Sequence, residues 1–339
     1  MPPRNSMECC FDAAGQLNSM LDFAKFGGIP MRAIICTKYG PPEVLQLREV
    51  EKPSPKKKEI LVKVLATTVS SGDCRMRSFS VPASMWIPAR LALGLTKPRR
   101  PIPGLWLAGI IEAVGEEVSL FHNGDQVYAR TPDLRLGAYA EYVCLPENGL
   151  IALKPSNVTY EEIVAIPFGG VTALYFLKRA KVCRGQKVLI YGASGAVGTA
   201  AVQLAKSFGA EVTGVCSTRN VDLVKSLGAH KVIDYLKYDF TKIGDRFDLI
   251  FDAVGKISFL NSKQSLGRNG KFLSVLGSDH ANVHAEDLVS LNELVETGQI
   301  KPVIDRRYPL EQMVEAHRYA EGGHKKGNVV ITMEHAGKI

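Results

Sequence analysis

Between residues 31 and 155 the apolar positions fall in short runs: MRAIICTK, EILVKVLATTV, LAGIIEAVG, GDQVYAR, AYAEYVCLP and LIALKP, split by turn residues. Short β-rich segments punctuated in this way read as strands, and their order predicts a small, mostly antiparallel barrel over 31–155. From Tyr160 the rhythm changes. The strands KVLIY, EVTGVCS, KVID, DLIFDAVG and KFLSVLG now alternate with helical stretches, a pattern that demands a parallel sheet covered on both faces. Residues 156–282 are therefore expected to form a doubly wound nucleotide-binding unit, and the fold class is α/β. A helix AEDLVSLNELVETG, a second helix from near Pro309 and a strand NVVITM follow. Five strands already complete the parallel unit, so residues 283–339 are expected to return to the first domain.

Composition narrows the class. The 339 residues are 46% hydrophobic and 22% charged, enough for about two ordinary domains. The richest apolar run, GLWLAGIIEAVG, is interrupted by Glu112 and falls short of the ~18 residues a bilayer-spanning helix needs, so no membrane partner is expected. Residues 1–30 lack a sustained apolar core followed by a cleavage site, and Glu8, Asp12 and Asp22 argue against a transit peptide. They read as a poorly ordered extension. The seven cysteines are odd in number and dispersed apart from the vicinal Cys9 and Cys10, which indicates neither a disulfide framework nor a zinc ribbon and fits a reducing cytoplasm. A net charge of +8 raises polyanions as partners, but PKKK at 55–58 and KPRRP at 97–101 are short and flanked by prolines. Solvated loops are the expectation, with steering of an anionic ligand or polyanion binding as alternatives; no nucleic-acid partner is expected.

The candidate chemistry starts at VLIYGASGAVGTAAVQLAKSFGAEVTGVCSTRN, Val188 to Asn220. After the strand, Gly192, Ala193, Ser194, Gly195, Ala196, Val197 and Gly198 form a tight turn that delivers bare backbone N–H groups to a helix start, an arrangement that favours a pyrophosphate. The spacing departs from strict G-x-G-x-x-G, because Ala193 or Ser194 stands where the middle glycine belongs. Its setting strengthens it: Ala200, Ala201 and Ala205 permit close helix-on-sheet approach, and a second strand follows at once. Ser194, Gly195, Ala196 and Val197 are the candidate cofactor contacts, a mere strand-to-helix connection being the alternative. NAD-binding versions end the second strand in Asp or Glu, which accepts from the adenine-ribose hydroxyls and repels a 2′-phosphate. This strand ends in Cys216, Ser217, Thr218 and Arg219. Two hydroxyls and a guanidinium suit a dianionic phosphate and predict NADPH, unless Arg219 is only a surface residue at a helix start. Tyr235 in VIDY is a candidate for the adenine side.

The segments YGPPEVLQLREVEKP, GIIEAVG, GDQVYA, GAYAEYV, GASGAVG, FDAVG and IKPVIDRRYPLEQMVEAHRY, in that order, resemble the medium-chain dehydrogenase/reductase superfamily, in its zinc-free quinone oxidoreductase branch. The resemblance covers Met31 to about Met333. It implies a GroES-like substrate domain split between the two ends of the chain, a central Rossmann domain, and a cleft between them for the nicotinamide. It points to Thr172 in GGVTAL beside the nicotinamide, and to Val254 and Gly277 at the ends of the later strands. The positions that carry catalytic zinc ligands in zinc-dependent members match Ser70, Leu105 with Trp106, and about Phe168, and the structural-zinc lobe matches YARTPDLRLGAYAEY, which has no cysteine. Catalytic zinc takes three soft, imidazole or carboxylate ligands, so no metal is expected. His280 and His284 read as an exposed polar loop.

Without a Lewis acid an unactivated ketone is hard to reduce, whereas hydride addition to an enone or a quinone yields an enolate or phenolate that needs only hydrogen-bond or cationic support. The expected activity is hydride transfer from NADPH to a quinone or α,β-unsaturated carbonyl. A non-catalytic NADPH-binding redox sensor or partner protein is the alternative. The family pattern places a polar or basic side chain just after Ser70-Ser71-Gly72-Asp73, which offers Arg75 as oxyanion stabiliser and Asp73 as the residue orienting it or the cofactor, against a structural ion pair. Cys74 reads as packing. Tyr139 in GAYAEYV is a candidate proton donor, although it alternates with Tyr142 along a strand and at least one of the two belongs to the core. SMWIPARLALGL, Ser84 to Leu95, either covers the substrate cleft or packs as ordinary surface. Relatives carry a longer segment where VLGSDHANVHAEDL joins the fifth Rossmann strand to the next helix, so a homodimer through that edge is in doubt.

Overall fold

A computed structural model describes residues 28–81, 86–132, 135–276 and 283–335. Gly277, His280 and residues 1–27 of the expected 1–30 extension lie outside the described residues. Strands β1 (Pro30–Cys36) and β2 (Leu45–Glu51) pair antiparallel. The next five, β3 (Glu59–Val69), β4 (Trp106–Val114), β5 (Gln126–Arg130), β6 (Tyr142–Pro146) and β7 (Leu150–Leu153), are joined antiparallel around the long β3. One edge of β3 takes β4, and β6 covers Glu59 to Lys63 on the other. Ile60, Val62 and Val64 recur with the strand period and are buried with Ile111, Val127 and Leu145, which fixes the register, since a one-residue slip would turn all three to the wrong face.

The second unit is a five-stranded parallel sheet of β8 (Lys187–Tyr191), β9 (Glu211–Cys216), β10 (Lys231–Asp234), β11 (Phe247–Asp252) and β12 (Leu266–Ser274). Its order is β10-β9-β8-β11-β12. The order reverses between β8 and β11, and the crevice beyond the carboxyl ends of such a pair is where open α/β sheets bind ligands. Beyond it, β13 (Ile304–Pro309) pairs with β14 (Asn328–Thr332), and β14 runs antiparallel to the far half of β3, Val329 opposite Val69 and Thr332 opposite Ala66. The chain is α/β, with the doubly wound sheet and the mostly antiparallel domain that the sequence predicts. β13 runs parallel to β14, so that domain's sheet is mixed.

The helices include α1 (Ser71–Ser78), α2 (Trp86–Leu93), α3 (Pro167–Ala180), α4 (Ala196–Ser207), α5 (Ala285–Glu296) and α6 (Met313–Glu321); α1, α3, α4 and α6 contribute to the cleft between the two domains. α1 starts on a capping box: Ser70 Oγ accepts from the Asp73 amide at 3.3 Å, and Asp73 accepts from the Ser70 amide at 2.8 Å. α4 buries Ala200, Ala201 and Ala205 against the sheet. The turn after β11 is organised by Asp252, fully buried, whose carboxylate accepts from the amides of Val254, Gly255 and Ile257 at 2.8–3.2 Å and from Ser274 Oγ. That carboxylate positions Val254 at the switch point.

Asp252→Ala strips the acceptor from three amides at once and is expected to lower stability by about 2 kcal/mol or more. Lys178→Ala removes only a pair with Asp287 in which the lysine is largely exposed, expected to cost less than about 1 kcal/mol. Chemical denaturation of both variants checks the contrast, and equal shifts would contradict the role given to Asp252.

Candidate active site

The turn from Gly192 to Gly198 owes its shape to two glycines. Gly192 has φ +77°, a conformation open to glycine, and a Cβ there would reach 2.5 Å from Val254 Cγ1. A Cβ on Gly198 would strike the Gly192 carbonyl. The chain therefore folds back on itself and starts α4 with no side-chain cap at Gly195. The first-turn amides have no intrahelical partner, and Gly195, Ala196 and Val197 line a cleft of about 790 Å³ between the two domains. This uncapped helix start is what a pyrophosphate requires.

The opposite wall comes from α1 and from the turn before β14. Arg75 lines the cleft, is exposed, and its guanidinium makes no hydrogen bond or ion pair among the described residues. Thr172 and Phe168 of α3, Val254 and Lys256 line the same space. So does Lys325, which sequence reasoning missed because GGHKKGN carries no motif. The turn holding it is docked on the glycine turn: the Gly327 amide donates to the Ser194 carbonyl at 2.8 Å, and Gly327 forms a parallel bridge with Gly195. Lys325 Nζ donates to the Gly327 carbonyl at 2.6 Å, and burial pushes the ammonium down to about 8. Three cations thus face the cleft against one carboxylate, Glu321. Glu321 is engaged by Arg77, whose buried guanidinium also donates to the Gly40 carbonyl. The structural ion pair weighed for this helix belongs to Arg77, and Arg75 is left for the cleft.

Two expected catalytic side chains stand elsewhere. Tyr139 is fully buried; its hydroxyl donates to the Thr68 carbonyl at 3.2 Å and its ring packs edge-on against His317. It does not reach the cleft, so it is a core residue and not a proton donor. Asp73 is also buried, spent on Ser70, and burial pushes its carboxyl up to about 6. It caps α1 and orients Arg75 only through the helix. Burial pushes the Cys74 thiol up to about 12, in keeping with packing. No described residue of α2 lines the cleft, so the helix does not cover it; Ala92 and Leu93 border a separate small cavity with Cys36 and Tyr39.

The strand-end donors are shared out by two residues the sequence did not single out. Asn220 Nδ2 donates to Ser194 Oγ at 2.9 Å and to Ser217 Oγ at 3.2 Å, pinning the glycine turn to the end of β9. Its Oδ1 is buried and has no partner among the described residues, so Asn220 acts as a brace between the two segments. Thr218 Oγ1 donates to Asp234 at 2.6 Å, and that bond leads in holding the Asp234 carboxyl below its usual range. An acid is therefore present at this corner, delivered by the third strand. Arg219 is exposed and makes no side-chain bond among the described residues. Tyr235 joins the corner through its amide, which donates to the Cys216 carbonyl at 3.0 Å, while its ring stacks on Tyr191 over a second cavity of about 1010 Å³.

Three family models match the chain: an alcohol dehydrogenase GroES-like domain over residues 56–155 and two zinc-binding dehydrogenase models over 196–301 and 278–331. The chain is 33% identical over 319 residues to 2-methylene-furan-3-one reductase of Solanum lycopersicum, covering 89% of this chain and 79% of that one. It belongs to the medium-chain dehydrogenase/reductase superfamily, in the quinone oxidoreductase-like branch. Another member of this superfamily, the chloroplastic NADPH-dependent alkenal/one oxidoreductase of Arabidopsis thaliana, is 30% identical over 319 residues, again 89% and 79% of the two chains. The structure of the quinone oxidoreductase from Coxiella burnetii superposes with a TM-score of 0.77 at 27% identity, covering 90% of this chain and all of that one.

Within this superfamily the zinc question turns on three positions. A Cβ placed on Gly72 would meet Leu105 Cδ1 at 3.3 Å, Ser70 Oγ at 3.3 Å and Phe168 Cε2 at 3.7 Å, so the three converge. They present one hydroxyl, already used in the α1 cap, an aliphatic chain and an aromatic ring. That donor set does not fit a zinc ion.

Gly198→Ala is expected to lower dinucleotide affinity by more than about tenfold, because the turn must open to admit the methyl group. Gly267→Ala, where the backbone is not left-handed and a Cβ meets no atom closer than 3.4 Å, is expected to leave affinity unchanged. Fluorescence titration with NADPH checks both.

Proposed function

We propose that the protein is a zinc-independent, NADPH-dependent oxidoreductase that transfers a hydride to a quinone or an α,β-unsaturated carbonyl. The observation that carries this reading is the unpaired Arg75 facing the cleft opposite the uncapped start of α4, with Lys325 in the same wall. The names of the relatives, an alkenal/one oxidoreductase and a furanone reductase, point to the same class of acceptor. NADPH supplies the hydride when bound. The amides of Ala196 and Val197 hold its pyrophosphate, Thr172 and Val254 flank the nicotinamide end, and Arg219 grips the 2′-phosphate. Asp234 opposes that phosphate and Lys237, 3.9 Å from its carboxylate, offsets part of the repulsion, so Arg219 decides the coenzyme.

Hydride addition to the β-carbon of an enone moves negative charge onto the carbonyl oxygen. Arg75 stabilises that oxygen as a fixed cation. Lys325, whose ammonium burial brings down to about 8, stays largely protonated at neutral pH and holds a proton at Nζ for the enolate or phenolate. A small-molecule acceptor is thus the partner. The described cysteines, Cys36, Cys74, Cys144, Cys183 and Cys216, are all free, which suits a reducing compartment such as the cytoplasm.

Titration with NADPH and NADH, followed by an acceptor panel in the presence of a chelator, tests the reading. Turnover with enones or quinones, undiminished by the chelator, is expected; tight NADPH binding with no acceptor turned over, or a stoichiometric zinc, would contradict it. Arg219→Ala is expected to weaken NADPH about 10- to 100-fold, the worth of a charge-assisted bond, and to leave NADH unchanged. Arg75→Ala should lower kcat by about 10²-fold or more. Because the protonated form of Lys325 is the active one, turnover should fall as pH rises through about 8, and Lys325→Met should be slower and flat across that range.

A further inference from the structure

α2 has an inverted surface. Of its eight residues, WIPARLAL, none is buried, and Ile87, Pro88 and Leu91 form an outward face without a polar atom on any side chain. Trp86, Ile87 and Leu91 are 48%, 66% and 59% exposed, and Leu95, just beyond the helix, is 66% exposed. The one polar side chain, Arg90, is turned inward. Its guanidinium sits 3.9 Å from the Phe79 ring centroid and 4.7 Å from that of Tyr39, and Nη1 donates to the Leu95 carbonyl at 2.6 Å. Exposing that many large apolar side chains on one short helix while the charge packs beneath them marks a contact surface.

Charge says what the surface meets. Residues 74–111 contain Arg75, Arg77, Arg90, Lys97, Arg99 and Arg100 and not one Asp or Glu. Lys97, Arg99 and Arg100 follow α2 closely in the chain, are exposed, and form no ion pair among the described residues; Arg99 and Arg100 also border the small cavity at the end of α2. An apolar helix face bordered by unpaired cations is the pattern of a helix lying in the interface of an anionic bilayer. A nucleic acid would use the cations and leave the aliphatic side chains in water. No described helix is long and apolar enough to cross a membrane, so the contact is peripheral.

We propose that α2 and the Lys97–Arg100 segment dock the protein on anionic lipid, Ile87 and Leu91 entering the interface and the three cations meeting the headgroups. The docking itself does not depend on any catalytic activity.

The full-length protein is mixed with phosphatidylcholine vesicles with and without phosphatidylserine, and followed by co-sedimentation and tryptophan emission. Of the two tryptophans, Trp106 is 2% exposed, so a change in emission reports Trp86. Co-sedimentation and a blue shift with the anionic vesicles alone are expected. Ile87→Ser with Leu91→Ser should abolish both. Lys97→Gln, Arg99→Gln and Arg100→Gln together should lower partitioning about fivefold per charge removed, and raised salt should act in the same direction. Unchanged thermal midpoints show that the variants fold. The proposal is overturned by absence of vesicle binding, by equal binding of the double serine variant, by a lipid-free dimer that shields Trp86, or by retention on heparin without vesicle binding.

Discussion

The site depends on one close approach: the backbone of Gly198 lies against the Gly192 carbonyl, leaving no room for a Cβ between them. That contact sets the angle at which β8 passes into α4, leaves the first turn of the helix uncapped, and fixes where Ser194 presents its carbonyl. The Gly327 amide then uses that carbonyl, so the last turn of the chain is tied to the dinucleotide turn. Through this one bond the C-terminal strand, held by β3 in the first domain, places Lys325 beside the second. The cleft is a product of backbone packing before any side chain acts in it.

Charge in the cleft follows from a division of labour along α1. Arg77 is buried and satisfied by Glu321 and Gly40, which locks α1 to α6. Arg75, two residues earlier, falls on another face of the helix and is left unpaired. A buried guanidinium stripped of its partner costs far more than an exposed one, so Arg77 is structural and Arg75 is available to a ligand. Asp73 and Tyr139 belong to the same packed layer as Arg77.

Much of this was legible in the sequence, for physical reasons. A change of apolar period separates the barrel from the doubly wound sheet, and Gly192 and Gly198 mark the turn after β8 because no other residue fits at those two positions. What was illegible depended on long-range pairing. Lys325 becomes part of the site only because β14 returns to β3 and Gly327 meets Ser194. Asp234 bears on the coenzyme corner because β10 lies beside β9, although no local pattern couples it to Thr218. Tyr139 alternated with Tyr142 along one segment, and only the packing of His317 decided which of the two is core. α2 showed an apolar face in sequence, but that it faces away from the core is set by Arg90 folding under it onto Tyr39 and Phe79.

A crystal structure with NADPH and an unreactive enone analogue tests the central claim most directly. The account predicts the pyrophosphate on the amides of Ala196 and Val197, the 2′-phosphate on Arg219, and the analogue's carbonyl oxygen within hydrogen-bond distance of Arg75 or Lys325. A dinucleotide seated instead in the cavity beneath Tyr191 and Tyr235, or a carbonyl oxygen facing neither cation, would contradict it.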